Sequence, residues 1–435
     1  MLLHGARQVG KSELIRRFAK KLGLVLNEIN LERHLNLSKA FGSFDIPRIL
    51  DELSVVVGRK VDQKGSLLFL DEVQGVPEAI AALRYFLEDR PGLPVVASGA
   101  LLDFALADRK IALPVGRVQD MYLGPMSFYE FLEEVDQELL PYCRMAVFEG
   151  RLPAMAHERL RHRVRQFMFV GGMPEAVAAY AADGLSAVPT VQNTLLETYE
   201  SDFAKYAGGV SCALMQRAFR NLPLQACNKV KYVNFARESA SRQVKAALNL
   251  LRMAGVCNEV RASACDGVPL LAGTEENVWK ELFIDVGLMN RACGADWRQI
   301  ETMDDTLLVN EGRMAEQFVG QHLLYLEGCR TRPQLAYWLR EGVKNNAEVD
   351  FVVSSGQTIF PVEVRAGKSG SLKSVREMVL AKGYARAFRF DCEIPSRQQV
   401  LIEVGGDTRK YELISLPLYS VETLPELLKH DWTWK

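Results

Sequence analysis

The stretch MLLHGARQVGKSELIRRF, residues 1–18, decides the architecture of the amino-terminal part of the chain. At its centre Gly5 to Ser12 read GARQVGKS, which fits the pattern GxxxxGK[ST]. A short apolar run, Met1 to Leu3, precedes the pattern and reads as a strand. The amphipathic stretch after it, with Leu14, Ile15 and Phe18 on one face, reads as a helix. Strand, loop and helix in that order let backbone amides and a helix N-terminus surround phosphate groups. Gly5 and Gly10 allow the curl, Ala6, Arg7, Gln8 and Val9 supply intervening amides, Lys11 reaches the β- and γ-phosphates, and Ser12 is placed to ligate Mg²⁺. The Arg7 side chain reads as a solvated loop residue or a packing contact. Only three residues precede His4, fewer than the five or six of a typical strand. The first strand is therefore expected to be minimal, with either a start upstream of Met1 or a weak nucleotide site.

Moving outward, SLLFLDEVQ (residues 66–74) is a continuous apolar run of the buried parallel type that ends in Asp71 and Glu72. Asp71 is expected to hold the Mg²⁺, and Glu72 to orient and polarise the attacking water. A helical stretch, AIAALRYFLEDR, then leads to LPVVASG (residues 93–99). Its Ser98 stands where a polar γ-phosphate sensor is expected in ATPases that carry an extra strand between the two motif strands. Further on, Arg117 has two readings: a guanidinium presented to a γ-phosphate, in its own or a neighbouring subunit, or a partner for an acid at a turn.

Composition sets the frame for the rest. At roughly 100–200 residues per domain, 435 residues make two to four domains. With 48% hydrophobic and 25% charged residues, the chain has the make-up of a soluble globular protein. Lys plus Arg number 53 against 54 Asp plus Glu, so any nucleic-acid surface must be local. No apolar run approaches the roughly 18–20 residues of a membrane span, and the start has no signal-peptide pattern. A cytoplasmic protein without membrane contact is expected. Eight cysteines without a CxxC pair read as reduced thiols.

Local basicity appears between Ala213 and Gly255, with eight Lys or Arg against one acid, Glu238. Within it SRQVKAALNLLRMAGV (residues 241–256) places Val244, Leu248 and Leu251 on one helical face and Arg242, Lys245, Asn249 and Arg252 in a row on another. A short helix before it and the extended NEVRAS after it complete a winged helix-turn-helix pattern. Either the polar row is presented to DNA, or the module is a lid whose charged face packs on the core or a partner. Towards the carboxyl end, EGRMAEQFVGQHLLYLEG reads as a helix carrying Glu316. AEVDFVV and TIFPVEVRA read as a hairpin that brings Asp350 and Glu363 onto adjacent strands. That is the layout of a PD-(D/E)XK nuclease core, whose acids hold a divalent metal and whose Lys, two residues after the Glu, positions water. Arg365 stands at that position here, and Lys368 is the candidate substitute.

Taken with VGRVQDMYLGPMSFYEFL, FVGGMPEAV, ETYESDFAKYA, FIDVGLMN and ISLPLYSVETLPELL, these segments resemble a group of bacterial and archaeal ATP-binding proteins. Members join an AAA-type ATPase core to a winged helix and a carboxyl-terminal domain of uncharacterised function with a restriction-endonuclease-like fold. The resemblance implies nucleotide and hydrolysis roles for Gly5, Gly10, Lys11, Ser12, Asp71 and Glu72, and nuclease-like acidic positions at Glu316, Asp350 and Glu363. Ala6 stands where Pro is usual, and Arg365 where Lys is usual. The expected organisation is α/β: a P-loop AAA-type parallel sheet over residues 1–150, a helical and winged-helix domain over 151–275, and a PD-(D/E)XK-like domain over 276–435. The expected function is ATP hydrolysis with Mg²⁺ as a conformational switch, with DNA contact through the winged helix and homo-oligomerisation as further expectations. Two alternatives stay open: an ATP-gated metal-dependent DNA nuclease, and an ATP-binding DNA- or partner-binding regulator without turnover.

Overall fold

In the computed structural model, which describes residues 1–100, 102, 116–206, 209–305, 308, 313–342, 346–365, 372–404 and 407–429, the apolar run at 67–70 is buried at every position. Alternation explains this. Along strand β3 (Ser66–Asp71), Leu68 and Leu70 point into one core layer while Leu67 and Phe69 point into another, so both faces are covered. The other strands of this sheet are β1 (Leu2–His4), β2 (Val25–Asn30), β4 (Val95–Ser98) and β5 (Asp120–Tyr122), in the order β2-β3-β4-β1-β5. Every pairing in it is parallel. β4 thus stands between the strand that feeds the phosphate loop and the strand that ends in Asp71. Helix α1 (Lys11–Lys21) packs Ile15 and Ala19 beneath Phe69, and α2 (Glu78–Asp89) covers the opposite layer with Ile80, Leu83 and Phe86.

The chain then turns helical. α3 (Phe128–Val135), capped reciprocally by Ser127 and Glu130, sends Phe128 edge-on against Phe167 of α4 (Ala154–Val170) at 5.8 Å and against Phe318 at 6.0 Å. The segment from Phe128 onward therefore shares a core with the later helices, and the expected boundary at 150/151 does not separate two cores. α5 (Pro174–Asp183), α6 (Val188–Tyr206), α7 (Cys212–Gln225) and α8 (Ser241–Met253) follow.

Beyond α8, β6 (Cys257–Ser263) and β7 (Thr274–Phe283) form an antiparallel hairpin, and β6 also pairs in parallel with β8 (Leu335–Arg340). Together with β9 (Ala347–Ser355), β10 (Thr358–Val364), β11 (Arg386–Asp391), β12 (Ser396–Val404) and β13 (Asp407–Pro417) they make an eight-stranded sheet, order β12-β13-β11-β10-β9-β8-β6-β7. The boundary expected at 275/276 falls inside β7, and NEVRAS belongs to the carboxyl-terminal sheet. Helix α9 (Arg313–Leu323) lies against β7. No helix among the described residues is long and apolar enough to cross a membrane, and the eight cysteines are free thiols.

Asp285 ties the helical part to this sheet. Fully buried, its carboxylate accepts from the Leu288 amide at 2.9 Å and from the Gly172 amide at 2.7 Å. Asp285→Ala orphans both amides, at about 1–3 kcal/mol for each buried donor. Denaturant unfolding should show that loss, and an unchanged midpoint would mean that other acceptors replace the carboxylate.

Candidate nucleotide site

β1 ends at His4, and the loop must turn sharply into α1. Gly10, the helix N-cap, has φ 93°, and Gly5 passes so close to β5 that a Cβ there would stand 2.4 Å from the Leu123 carbonyl oxygen. Lys11, only 6% exposed, folds its ammonium back to donate to the carbonyls of Gly5 (3.0 Å) and Ala6 (2.8 Å). Burial pulls its pKa down to about 8, with Glu72 and Asp71 acting in the opposite sense. Helix α1 and strands β3 and β4 converge beside it. Ser12 Oγ donates to Asp71 Oδ2 at 2.9 Å, and Ser98 Oγ donates to Asp71 Oδ1 at 2.5 Å. Ser98, the expected phosphate sensor, is completely buried, and its hydroxyl is engaged by Asp71.

Glu72 follows in the left-handed region (φ 52°), a conformation that costs a non-glycine residue energy and clusters at functional sites. Its Oε2 accepts from Gln74 Nε2 at 2.6 Å. Gln74, absent from the sequence reading, thus fixes the candidate base; its position two residues past Glu72 was the only local signal.

Arg117 lies elsewhere. It precedes β5, and Leu2 pairs with Asp120 while His4 pairs with Tyr122. Arg117 is therefore at the amino-terminal edge of the parallel sheet, whereas the phosphate loop leaves the carboxyl-terminal edge. Its guanidinium lies 3.9 Å from Glu88 and is 55% exposed. A role on the γ-phosphate of its own subunit is overturned, and the acid pairing is what the structure places there.

The outer side of the loop is covered by the helical part. Arg7 donates to Asp202 Oδ2 at 2.5 Å, and Tyr199 Oη donates to the Arg7 carbonyl at 2.7 Å, both from α6. Arg7 is thus the packing contact of its two expected readings. A Cβ added at Gly10 would be 3.3 Å from Pro174 Cγ, and one added at Gly255 would be 3.2 Å from the Ala6 Cβ. The cavity bordering the loop, lined by His4, Gly5, Gly99, Tyr122, Arg252 and Gly255 among others, holds about 110 Å³. That is smaller than the roughly 300–1,000 Å³ of usual small-molecule sites, and Lys11, Ser12, Asp71 and Glu72 do not line it. Tyr199 and Asp202 lie about 190 residues from Arg7 in sequence, and no spacing rule connects them.

The row on α8 divides. Arg242 is exposed and Asn249 is exposed. Lys245 donates to Asn277 Oδ1 at 3.3 Å and stands 5.9 Å from the Trp279 ring centroid. Arg252 is engaged within the chain: its Nε donates to the fully buried Glu281 at 2.8 Å, and its guanidinium lies over Trp279 at 5.0 Å. Arg252, expected in the row presented to DNA, forms instead an ion pair that docks α8 on the hairpin.

Glu316, Asp350 and Glu363 do come to one neighbourhood, but not as a metal cage. Among the described residues no three His, Cys, Asp or Glu side chains are arranged to hold a metal ion. Lys280, unmarked in the sequence reading, stands among them instead: its ammonium is 2.9 Å from Glu316 Oε1 and 2.5 Å from Glu348 Oε1. The expectation of a metal on Glu316, Asp350 and Glu363 is therefore not met. Arg365 reaches only to 4.0 Å from Glu363, and Lys368 lies outside the described residues.

Comparison with known proteins divides the chain in three. Residues 1–132 match a family described as an AAA domain, residues 161–299 a domain of unknown function (DUF8612), and residues 311–416 a domain of unknown function (DUF4143). No curated protein matches. Similar solved structures include the Aeropyrum Pernix ORC2 protein as ADPNP-ADP complexes, 12% identical, with 67% of this chain and 86% of that chain covered and a TM-score of 0.30. Its ADP form is 14% identical, with 59% and 80% covered and a TM-score of 0.25. The amino-terminal segment is thus similar to AAA domains, and it carries the loop and the five-stranded parallel sheet.

Proposed function

We propose that the amino-terminal domain binds ATP with Mg²⁺ and hydrolyses it, and that the nucleotide state sets how the helical and carboxyl-terminal parts sit on the loop. The observation that carries this reading is the convergence of Ser12 and Ser98 on Asp71 beside a buried Lys11 and a strained Glu72. Lys11 fits an anion: it is a desolvated ammonium held, among the described residues, by carbonyls of its own loop, and phosphate oxygens are stronger acceptors. Ser12 and Asp71 fit Mg²⁺, being two hard oxygen donors in contact. When bound, that ion neutralises charge on the β- and γ-phosphates.

From there the chain's own groups act. Ser98 holds the Asp71 carboxylate, Gln74 holds Glu72, and Glu72 accepts a proton from water as it attacks. Release of Lys11 from Gly5 and Ala6 rearranges the loop whose Arg7 is tied to Asp202 and Tyr199, which passes the change to α6. The order α7, a single 3-10 turn at Tyr232–Asn234, α8 and the β6–β7 hairpin supports a winged helix-turn-helix. The pairing of Arg252 with the buried Glu281 and the closeness of Gly255 to Ala6 favour its use as a lid over use as a DNA reader.

Calorimetric titration of Mg-ATP tests the binding step. Lys11→Ala removes a charged donor worth about 1.5–3 kcal/mol, so binding should weaken by roughly 10- to 100-fold; equal affinity in wild type and variant would exclude Lys11 as the phosphate ligand. Proton linkage gives a second check. A pKa of about 8 in the free protein, restored upward by a bound anion, means that affinity is full below pH 8 and falls as pH rises through it. The limiting slope is about tenfold per pH unit. A flat profile between pH 7 and 9.5 would contradict the assignment.

A further inference from the structure

Strand alternation gives β7 two charged faces. Trp279 and Glu281 meet Arg252 of α8 on one side, while Lys280 points to the other and is 1% exposed. There its ammonium donates to Glu316 of α9, contacts Glu348 of β9, and lies 4.9 Å from the ring centroid of Tyr337 on β8. Asp350, two residues beyond Glu348 on the same face of β9, accepts from the Val364 amide at 2.8 Å. Glu363 of β10 is 4% exposed, and its Oε2 is buried without a hydrogen-bond partner among the described residues. Four carboxylates from two strands and a helix thus share one neighbourhood, with a cation from β7 fixed among them.

The nuclease-like resemblance implies a divalent metal on Glu316, Asp350 and Glu363, and the residues present do not fit one. Glu316 is already held by Lys280, and a divalent ion beside a buried ammonium would meet a like charge in a poorly screened interior. We infer that Lys280 is a built-in replacement for that ion: it draws Glu316 and Glu348 together, keeps Mg²⁺ and Mn²⁺ out of the cluster, and masks a divalent-cation site that loss of its charge uncovers. The buried Glu363 oxygen, without a partner among the described residues, is the donor such a site has in reserve. This inference does not depend on the ATPase reading, because the cluster lies in the carboxyl-terminal sheet and is probed without nucleotide.

The test uses the full chain, free of nucleotide, titrated with Mn²⁺ and followed by electron paramagnetic resonance and by thermal melting. Wild type should show no Mn²⁺ site that responds to Glu363→Gln. Lys280→Met should bind one Mn²⁺ per chain at least about tenfold more tightly. That binding should disappear when Glu316→Gln is added, and Mn²⁺ should raise the melting temperature of Lys280→Met but not of wild type. Lys280→Gln, which keeps hydrogen-bond donors for Glu316 and Glu348 without the charge, carries the same expectations should the methionine variant not fold. Two results would overturn the inference: a wild-type Mn²⁺ site lost on Glu363→Gln, which would show that ion and ammonium coexist, or a folded Lys280 variant that binds no Mn²⁺.

Discussion

Glu72→Gln should leave Mg-ATP binding within a few-fold of wild type and slow turnover by about 10²- to 10⁴-fold, the usual contribution of a positioned general base. Glutamine matches the shape of glutamate but has no basic oxygen to take the proton of the attacking water. The backbone supports this assignment independently. A glutamate at φ 52° pays for a conformation that glycine would adopt freely, and it follows immediately on the Asp71 that receives Ser12 and Ser98. Gln74 at 2.6 Å then limits where the carboxylate points. Gln74→Ala should accordingly act in the same direction with a smaller effect, since it loosens the base without removing it. Binding by calorimetry and phosphate release measured on the same preparations separate the two steps; unaltered turnover in Glu72→Gln would remove Glu72 from the chemistry.

Arg252→Ala should destabilise the chain by about 3–5 kcal/mol, the cost of breaking a buried ion pair by removing one partner. Glu281 is completely buried, and burial pushes its pKa up while Arg252 works against that shift. Without the guanidinium the carboxylate keeps, among the described residues, the Trp279 indole donor at 2.9 Å, and it must take up a proton or bring in water. Arg252→Met with Glu281→Gln removes both charges while retaining most of the side-chain volume, so the double variant should recover much of the loss. Denaturant unfolding of the two singles and the double measures the coupling. Additive single effects would show that the pair does not hold α8 on the hairpin.

The amino-terminal half of this arrangement was legible in sequence because its chemistry is local. A phosphate loop is eight consecutive residues, and β3 announces itself by an apolar run that stops at two acids. Ser98 was found by order along the chain, yet its hydrogen-bond partner was not, because a hydroxyl at a strand end faces either a ligand or a neighbouring carboxylate. Helical spacing likewise put Arg242, Lys245, Asn249 and Arg252 in one row without saying what covers its carboxyl-terminal end. That depended on β6 pairing Val260 with Leu335, a choice made about 75 residues away, which drew the hairpin into the large sheet and brought Glu281 under α8. Lys280 did leave a trace, a lysine inside the otherwise closing run WKELFID. Alternation explains its burial only once Glu316 and Glu348 are known to wait on that face.

The measurement that bears most directly on the nucleotide assignment is release of phosphate from Mg-ATP by the purified wild-type chain, run beside Glu72→Gln, with and without duplex DNA. The expected result is turnover by wild type that requires Mg²⁺ and vanishes in the variant, with little response to DNA because Arg252 is committed to Glu281. Absence of turnover by wild type in every condition, with nucleotide nonetheless bound, would contradict hydrolysis and leave a nucleotide-binding regulator; strong stimulation by DNA would contradict the lid reading of α8.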